Sequence, residues 1–229
     1  MKLNDEKSHI FEAELGPDSQ LQHFFKDNIV VIRTGFFRNR SLFRDLLTSV
    51  LPSITGSKSF RSPLQIWSAG CSDGREPYSI AMASADFLKK KRPGVKLSVL
   101  GSDINEQQIQ IAKKGEYSII TAEQAALEPY AHHYHIKDNK LQMGRAMLQT
   151  VSFKHENIIE ARKAIPFHIL FLSNVLLYYE KEYRKNIVSR LANLILPGGC
   201  FYLESVGGRF MRSLGFERMN TESHFYIKI

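Results

Sequence analysis

Three groups of residues in this 229-residue chain have the types and spacing to do chemistry together. The first is residues 64–79 (LQIWSAGCSDGREPYS), where apolar Leu64, Ile66 and Trp67 run into a turn of small residues that includes Gly70 and Gly74. Glu76, Pro77 and Tyr78 then open a helical pattern through Ile80, Ala81, Met82, Ala83, Ala85, Phe87 and Leu88. A strand, glycine turn and helix in that order aim unpaired backbone N–H groups beyond the strand end, and the glycines permit close approach. Such a turn suits a ligand with a polar or anionic end. The spacing of Gly70 and Gly74 lacks the further glycine of a dinucleotide site, so nicotinamide cofactors are not expected. Alone, the turn reads equally well as a βα corner with no ligand.

The second group is a strand pattern over 96–104 whose apolar run stops at Asp103. An acidic residue at the end of the second strand of a βαβ unit is where a pair of ribose hydroxyls is read. Asp103 can instead cap the helix expected over 106–114, a role Asn105 fills equally well. The third group ends the run over 166–179, a buried central strand that finishes near Ser173 and Asn174. Open parallel sheets bind ligands at the carboxyl ends of their strands, so the turn, Asp103 and Asn174 should face one crevice.

Other segments must hold these ends in place. Residues 1–18 are polar and form a loose lead-in, after which Asp18 or Ser19 caps a helix through Leu21, Phe24 and Phe25. Phe36, Phe37, Phe43, Leu46 and Leu47 seat a helix-rich segment on the main body, and 53–62 is a polar loop. The helix after the glycine turn stops at Pro93 and Gly94 behind a basic run that reads as a solvated helix end. Residues 117–155 suggest short strands or a helical turn. An amphipathic helix over 181–194 ends at Pro197, residues 200–205 form another strand, and 216–229 reads as two strands around a turn at 220–223. The domains expected are 1–62, a lead-in and helical segment, and 63–229, the ligand-binding domain with 117–155 as a variable insert.

Composition narrows the classes. With 43% hydrophobic residues the chain can bury a substantial core. No apolar run reaches membrane-spanning length and the charged start carries no secretory core, so the expectation is a cytoplasmic protein with no direct membrane insertion. The two cysteines, Cys71 and Cys200, read as packing residues. The net charge of +8 favours an acidic partner. Nucleic acid is not expected, because no aromatic-basic interleaving suggests a stacking platform. His132, His133 and His135 invite a metal reading, but no carboxylate or cysteine stands at ligand spacing beside them, so they read as surface histidines and no metal is expected.

Five segments in this order complete a pattern: 34–38 (TGFFR), 67–79 (WSAGCSDGREPYS), 101–104 (GSDI), 173–178 (SNVLLY) and 196–199 (LPGG). Together they resemble the chemoreceptor glutamate methyltransferase family (CheR). The resemblance implies an α/β fold of the class I methyltransferase type, a Rossmann-like, mostly parallel sheet with helices on both faces and a C-terminal antiparallel hairpin. It implies an S-adenosylmethionine-dependent enzyme that esterifies glutamate side chains and leaves S-adenosylhomocysteine. The acceptor would be an acidic protein, the cytoplasmic domain of a chemoreceptor. By position, Thr34, Arg38, Glu76, Asp103, Asn157, Ile158 and Asn174 are implied cofactor contacts, which Gly70 of the turn joins in the crevice, and Arg38 and Tyr178 are implied to sit beside the transferred methyl. About thirty residues precede the Thr34 motif, where the family has a separate helical domain. Ser173 stands where the family has arginine, and Ile32 where it has asparagine. These departures keep two other readings in view: a methyltransferase of the same fold acting on another protein or a small acid, and a non-catalytic S-adenosylmethionine-binding module.

Overall fold

Along the central strands, side chains alternate between two apolar cores, and that alternation builds the molecule. The structure, a computed structural model, describes residues 34–229 except 119–120, 139, 162–165 and 205, with backbone alone for 121, 122, 178 and 181. The helix expected near residues 19–25 and the departure at Ile32 lie outside the described residues. The strands are β1 (Leu64–Ala69), β2 (Leu97–Asp103), β3 (Glu116–Ser118), β4 (Tyr134–Lys137), β5 (Lys140–Met143), β6 (Val151–His155), β7 (Phe167–Leu172), β8 (Ile195–Leu203), β9 (Phe216–Arg218) and β10 (Phe225–Lys228). The helices are α1 (Arg40–Asp45), α2 (Leu51–Gly56), α3 (Arg75–Lys91), α4 (Glu106–Lys114), α5 (Thr121–Leu127), α6 (Arg145–Thr150), α7 (Lys181–Ala192) and α8 (Gly208–Ser213).

Seven strands form one sheet in the order β6-β2-β1-β7-β8-β10-β9. The first five pair in parallel, and β10 runs antiparallel to both β8 and β9. This is the Rossmann-like class I methyltransferase arrangement, with the terminal hairpin on a parallel sheet. Successive residues point to opposite faces. Ile66, Ile169, Phe171, Cys200 and Tyr202 therefore enter one core with Leu42, Leu51, Ile80 and Met82. Trp67, Leu170, Leu172, Phe201 and Leu203 enter the other with Ile187, Val188 and Leu191 of α7. Covering both faces makes the middle strands largely apolar, and all six residues of β7 are buried. Each fully buried large apolar side chain stabilises by roughly 1.5–3 kcal/mol, against about 0.5–1.5 kcal/mol net for a hydrogen bond. The two cores, more than the polar contacts at the strand ends, thus hold those ends in register.

Polar exceptions inside the strands have partners. His168 Nδ1 accepts the Gln65 N–H at 3.0 Å, and burial pushes the imidazole pKa down, keeping the neutral form that acceptance requires. Residues 196–199 bulge opposite the single residue His168, so β8 begins at Ile195, earlier than the glycines suggest. The stretch expected as a loop from residue 53 instead starts within α2, where Pro52 occupies the first turn. Just before it, 46–50 form a π-helical turn in which Leu51 N–H reaches back to Leu46 O.

The compact unit runs from Thr34 to Ile229, so residues 34–62 share their core with the residues after 63. Phe36 and Phe37 are buried. Phe37 holds a positive φ of 51°, uncommon for a bulky residue, and is kept there by its N–H donating to Ser79 Oγ at 3.0 Å and by its ring stacking on Tyr130 at 4.3 Å. The insert, 117–155, contributes most of a second, three-stranded antiparallel sheet ordered β3-β5-β4. No helix among the described residues is long and apolar enough to cross a membrane.

Candidate active site at the carboxyl ends of the parallel strands

Four amides of the glycine turn after β1 are already bonded within the protein. Gly70 N–H and Cys71 N–H both donate to Ser102 O, at 2.7 and 2.9 Å, Gly74 N–H donates to Cys71 O at 3.1 Å, and Ser72 N–H donates to the Asp103 carboxylate at 2.7 Å. Instead of waiting unpaired for an anion, as expected, three of these amides lock the turn to β2 and that of Gly74 closes the turn on itself. A turn so used suits a ligand without phosphate. Gly70 is required for another reason as well. Its φ is +73°, and a Cβ on it would lie 2.1 Å from Val175 Cγ2, so the glycine lets the segment after β7 close over the turn.

Asp103 sits partly buried at the end of β2. Its Oδ2 accepts from Ser72 N–H and its Oδ1 from Asn105 N–H at 2.9 Å. Asn105, not Asp103, caps α4, its side chain accepting from Gln108 N–H at 3.2 Å. That removes the capping alternative for Asp103. Burial pushes the Asp103 carboxyl up, while backbone N–H groups of Asn105, Ser72 and Ile104 and the nearby His155 favour its ionised form. Each carboxylate oxygen keeps a further lone pair for a hydroxyl donor. The turn after β6 is tied to the same point, because Glu156 N–H donates to Asp103 O at 2.9 Å. This turn carries Asn157, whose Oδ1 accepts from Ile159 N–H at 3.1 Å, and Ile158, which is buried in the second core.

Glu76 enters from the first turn of α3, where a carboxylate also complements the helix dipole. Ser68, a polar residue in an apolar strand, donates to Glu76 Oε1 at 2.8 Å. Burial pushes the Glu76 carboxyl up first of all; Ser173 and Ser68 oppose that, Glu204 adds to it, and Arg38 opposes it. Cys71 lies between the two acids. Burial drives its thiol well above the usual range, and Asp103 and Glu76 push it further, so it stays an inert packing residue.

The 34–38 motif is fastened to this turn. Thr34 Oγ1 donates to Asp73 Oδ1 at 3.0 Å, and Phe36 N–H donates to Glu123 Oε1 at 2.8 Å. Arg75 pairs with Asp73, approaches Glu123 at 3.6 Å and lies over the rings of Tyr117 and Phe36 at 5.0 and 5.6 Å. Arg38, next to this anchor, is exposed. Asn39 caps α1 and also reaches Tyr202 OH at 2.9 Å and Glu204 Oε1 at 3.2 Å. On the β7 side, Asn174 is exposed with φ of 58°, and the 3-10 turn of Val175–Tyr178 follows it. The Tyr178 side chain lies outside the described residues.

Residues 33–208 match the family model described as the CheR methyltransferase, SAM binding domain. The chain belongs to the CheR methyltransferase family. It is 30% identical over 171 residues to a chemotaxis protein methyltransferase of Borreliella burgdorferi, covering 72% of this chain and 60% of that one. It is 26% identical over 208 residues to chemotaxis protein methyltransferase 1 of Vibrio cholerae, covering 88% and 74%. With chemotaxis protein methyltransferase 1 of Pseudomonas aeruginosa it shares 28% identity over 188 residues, 80% of this chain and 68% of the relative.

The site fits the S-adenosylmethionine that this family domain binds. Ser72 Oγ and Ser173 Oγ are buried without a hydrogen-bond partner of ordinary geometry, although Ser173 lies near enough to Glu76 to favour its ionised form. Buried hydroxyls normally find partners, so these two mark where a polar ligand is wanted. The donor set around them, with the Glu76 and Asp103 carboxylates, agrees with a cationic amino acid joined to a nucleoside. Sequence reasoning missed Ser68, Ser72 and Glu204. Ser68 and Glu204 carried the same signal as Asp103, a polar residue within or just past an apolar strand. The Asp73–Arg75–Glu123 network had no local signal, because Glu123 is brought in from the insert.

Proposed function

We propose that this chain is an S-adenosylmethionine-dependent protein-glutamate O-methyltransferase acting on the cytoplasmic part of chemoreceptors. The observation that carries the reading is the placement of Asp103 and Glu76 on either side of the β1 turn, each held by neighbouring donors. Its support is the family match and the names of the relatives, all chemotaxis protein methyltransferases. The net charge of +8 suits an acidic acceptor.

Asp103 would accept from the ribose hydroxyl pair, and Glu76 would face the ammonium of the methionine portion, with Ser72 and Ser173 within the same lining. Thr34, Gly70, Asn157, Ile158 and Asn174 would complete the walls. When bound, the cofactor supplies an electrophilic methyl group on a sulfonium. A glutamate acceptor is already ionised at neutral pH, so no general base is needed. Arg38 would steer that carboxylate, and Tyr178 would hold it in line for displacement. Partial removal of water from the carboxylate adds to its nucleophilicity.

The test is incubation with methyl-labelled S-adenosylmethionine and a chemoreceptor cytoplasmic fragment. The expected product is labelled protein that releases methanol in mild alkali, as esters do and methylated amines do not. Base-stable label, or no transfer to any receptor fragment, would count against it.

A further inference from the structure

The histidines of 132–135 stand in the sequence without a carboxylate, and the fold supplies one from 46 residues away. Asp86 lies on α3, and its Oδ1 is 2.9 Å from His132 Nε2 and 2.8 Å from His133 Nε2. The three atoms all lie within 4.8 Å of one another. Two imidazole nitrogens gathered at one carboxylate oxygen supply a donor set of the zinc type.

Adjacent residues rarely aim at the same atom, and local backbone explains why these do. The 3-10 turn of Glu128–His133 is interrupted at Tyr130 (φ −109°, ψ 15°), and the chain leaves it extended at Tyr134. The two imidazoles are left side by side, centroids 4.1 Å apart and planes 39° apart. Contacts that do not involve the imidazoles fix this turn: Tyr130 stacks on Phe37, and His133 O accepts the Gly144 N–H at 2.8 Å. The donor atoms are therefore held near ligating positions by packing. His133 is mostly covered while His132 is half exposed, so one ligand is anchored and the site opens to solvent. Lys89, one turn along α3, places a positive charge near His133 and weighs against a cation; the Asp86 carboxylate, nearer, outweighs it.

We propose that Asp86, His132 and His133 bind a divalent transition-metal ion of the zinc class, with water in the remaining positions. Such an ion would fasten the turn that leads into β4 of the antiparallel sheet to α3, the helix that starts at the cofactor turn. This site is separate from the methyl-transfer crevice and does not rest on the reaction assigned to it.

The test uses the full chain after chelator treatment and desalting. Calorimetric titration with Zn²⁺ should show one saturable equivalent, and Co²⁺ should bind with a visible absorption spectrum of nitrogen and oxygen ligation. Asp86→Asn keeps the size and hydrogen-bonding capacity of the side chain, and it should weaken Zn²⁺ binding at least about tenfold, as should His133→Ala. His135→Ala, on β4 outside the cluster, should leave binding unchanged. Zn²⁺ should raise the Tm of the parent protein and not that of Asp86→Asn. Absence of saturable Zn²⁺ uptake would overturn the proposal, and so would uptake undiminished in Asp86→Asn or equally lost in His135→Ala.

Discussion

The two flanks of the crevice are built by different means. On the flank proposed to hold the cofactor, Asp103 receives two backbone N–H groups, Glu76 receives Ser68, and the Gly70, Cys71 and Ser72 amides of the intervening turn are spent on β2. On the other flank Arg38 is exposed, and so is Leu177 of the turn after β7, at 58%. A small ligand of constant shape rewards groups fixed in advance, since ordering them on binding would cost affinity. A protein acceptor brings its own surface and can order exposed side chains as it docks. Val175 lies against Gly70 and joins the turn ending at Tyr178 to the turn after β1.

The sharpest way to break this comparison is to attack that contact. Gly70→Ala puts a Cβ into a left-handed backbone, at about 1–2 kcal/mol, and overpacks Val175, at about 1–3 kcal/mol. For a domain of this size the sum lowers Tm by roughly 5–15 °C. Adding Val175→Ala should restore the overpacking share only. If the double variant melts no higher than the single one, Val175 is not what couples the flanks.

Asp103→Ala comes next. Charge-assisted hydrogen bonds lost at about 1.5–3 kcal/mol each should weaken S-adenosylmethionine binding by at least about tenfold. Calorimetry showing a dissociation constant within about twofold of the parent would mean that the crevice is misassigned.

The cofactor flank was largely legible in the sequence, and the other was not. Apolar runs marked β1, β2 and β7, and the polar residues ending the last two placed Asp103 and Asn174 at one edge of the sheet with the glycine turn, while Glu76 was assigned only through the family resemblance. What the sequence could not convey was who satisfies whom. The small residues of the turn suggested free amides, but their hydrogen bonds go to Ser102 O and Asp103, which depends on the register of β1 against β2. Gly70 looked like room for a ligand, yet it makes room for Val175, which is 105 positions along the chain and arrives by the crossover into β7. The histidines lacked a carboxylate for the same reason, because Asp86 reaches them only through packing of the insert on α3.

Glu76→Gln sharpens the comparison by separating charge from shape. Removing the charge that faces the ammonium should weaken cofactor binding by about tenfold. The folded protein raises the Glu76 pKa, chiefly by burial, so the favourable contribution of this group is full below its unfolded pKa and is lost as pH rises through the folded value. Without cofactor, Glu76→Gln should therefore match the parent in acid and become more stable than it as pH rises. Cofactor affinity of the parent should climb with pH through the same range and then level, since the cation favours ionised Glu76. In Glu76→Gln that climb should be missing. A variant whose affinity follows the parent's pH profile would show that another group carries the charge.

The smallest effect on binding is expected from Tyr178→Phe, and it discriminates best between the flanks. Tyr178 is the last residue of the turn Val175–Tyr178 that follows Asn174. If its hydroxyl acts on the methyl and the acceptor alone, its loss removes an interaction made in the transition state and leaves ground-state cofactor binding intact. The dissociation constant for S-adenosylmethionine should then stay within about threefold of the parent, or about 0.7 kcal/mol, while turnover on a receptor fragment falls. Asp103→Ala should show the reverse weighting, with affinity falling first and turnover recovering at saturating cofactor. Measuring both constants for both variants decides the matter: equal losses of affinity would merge the two flanks into one binding surface, and unequal losses in the stated sense would keep them distinct.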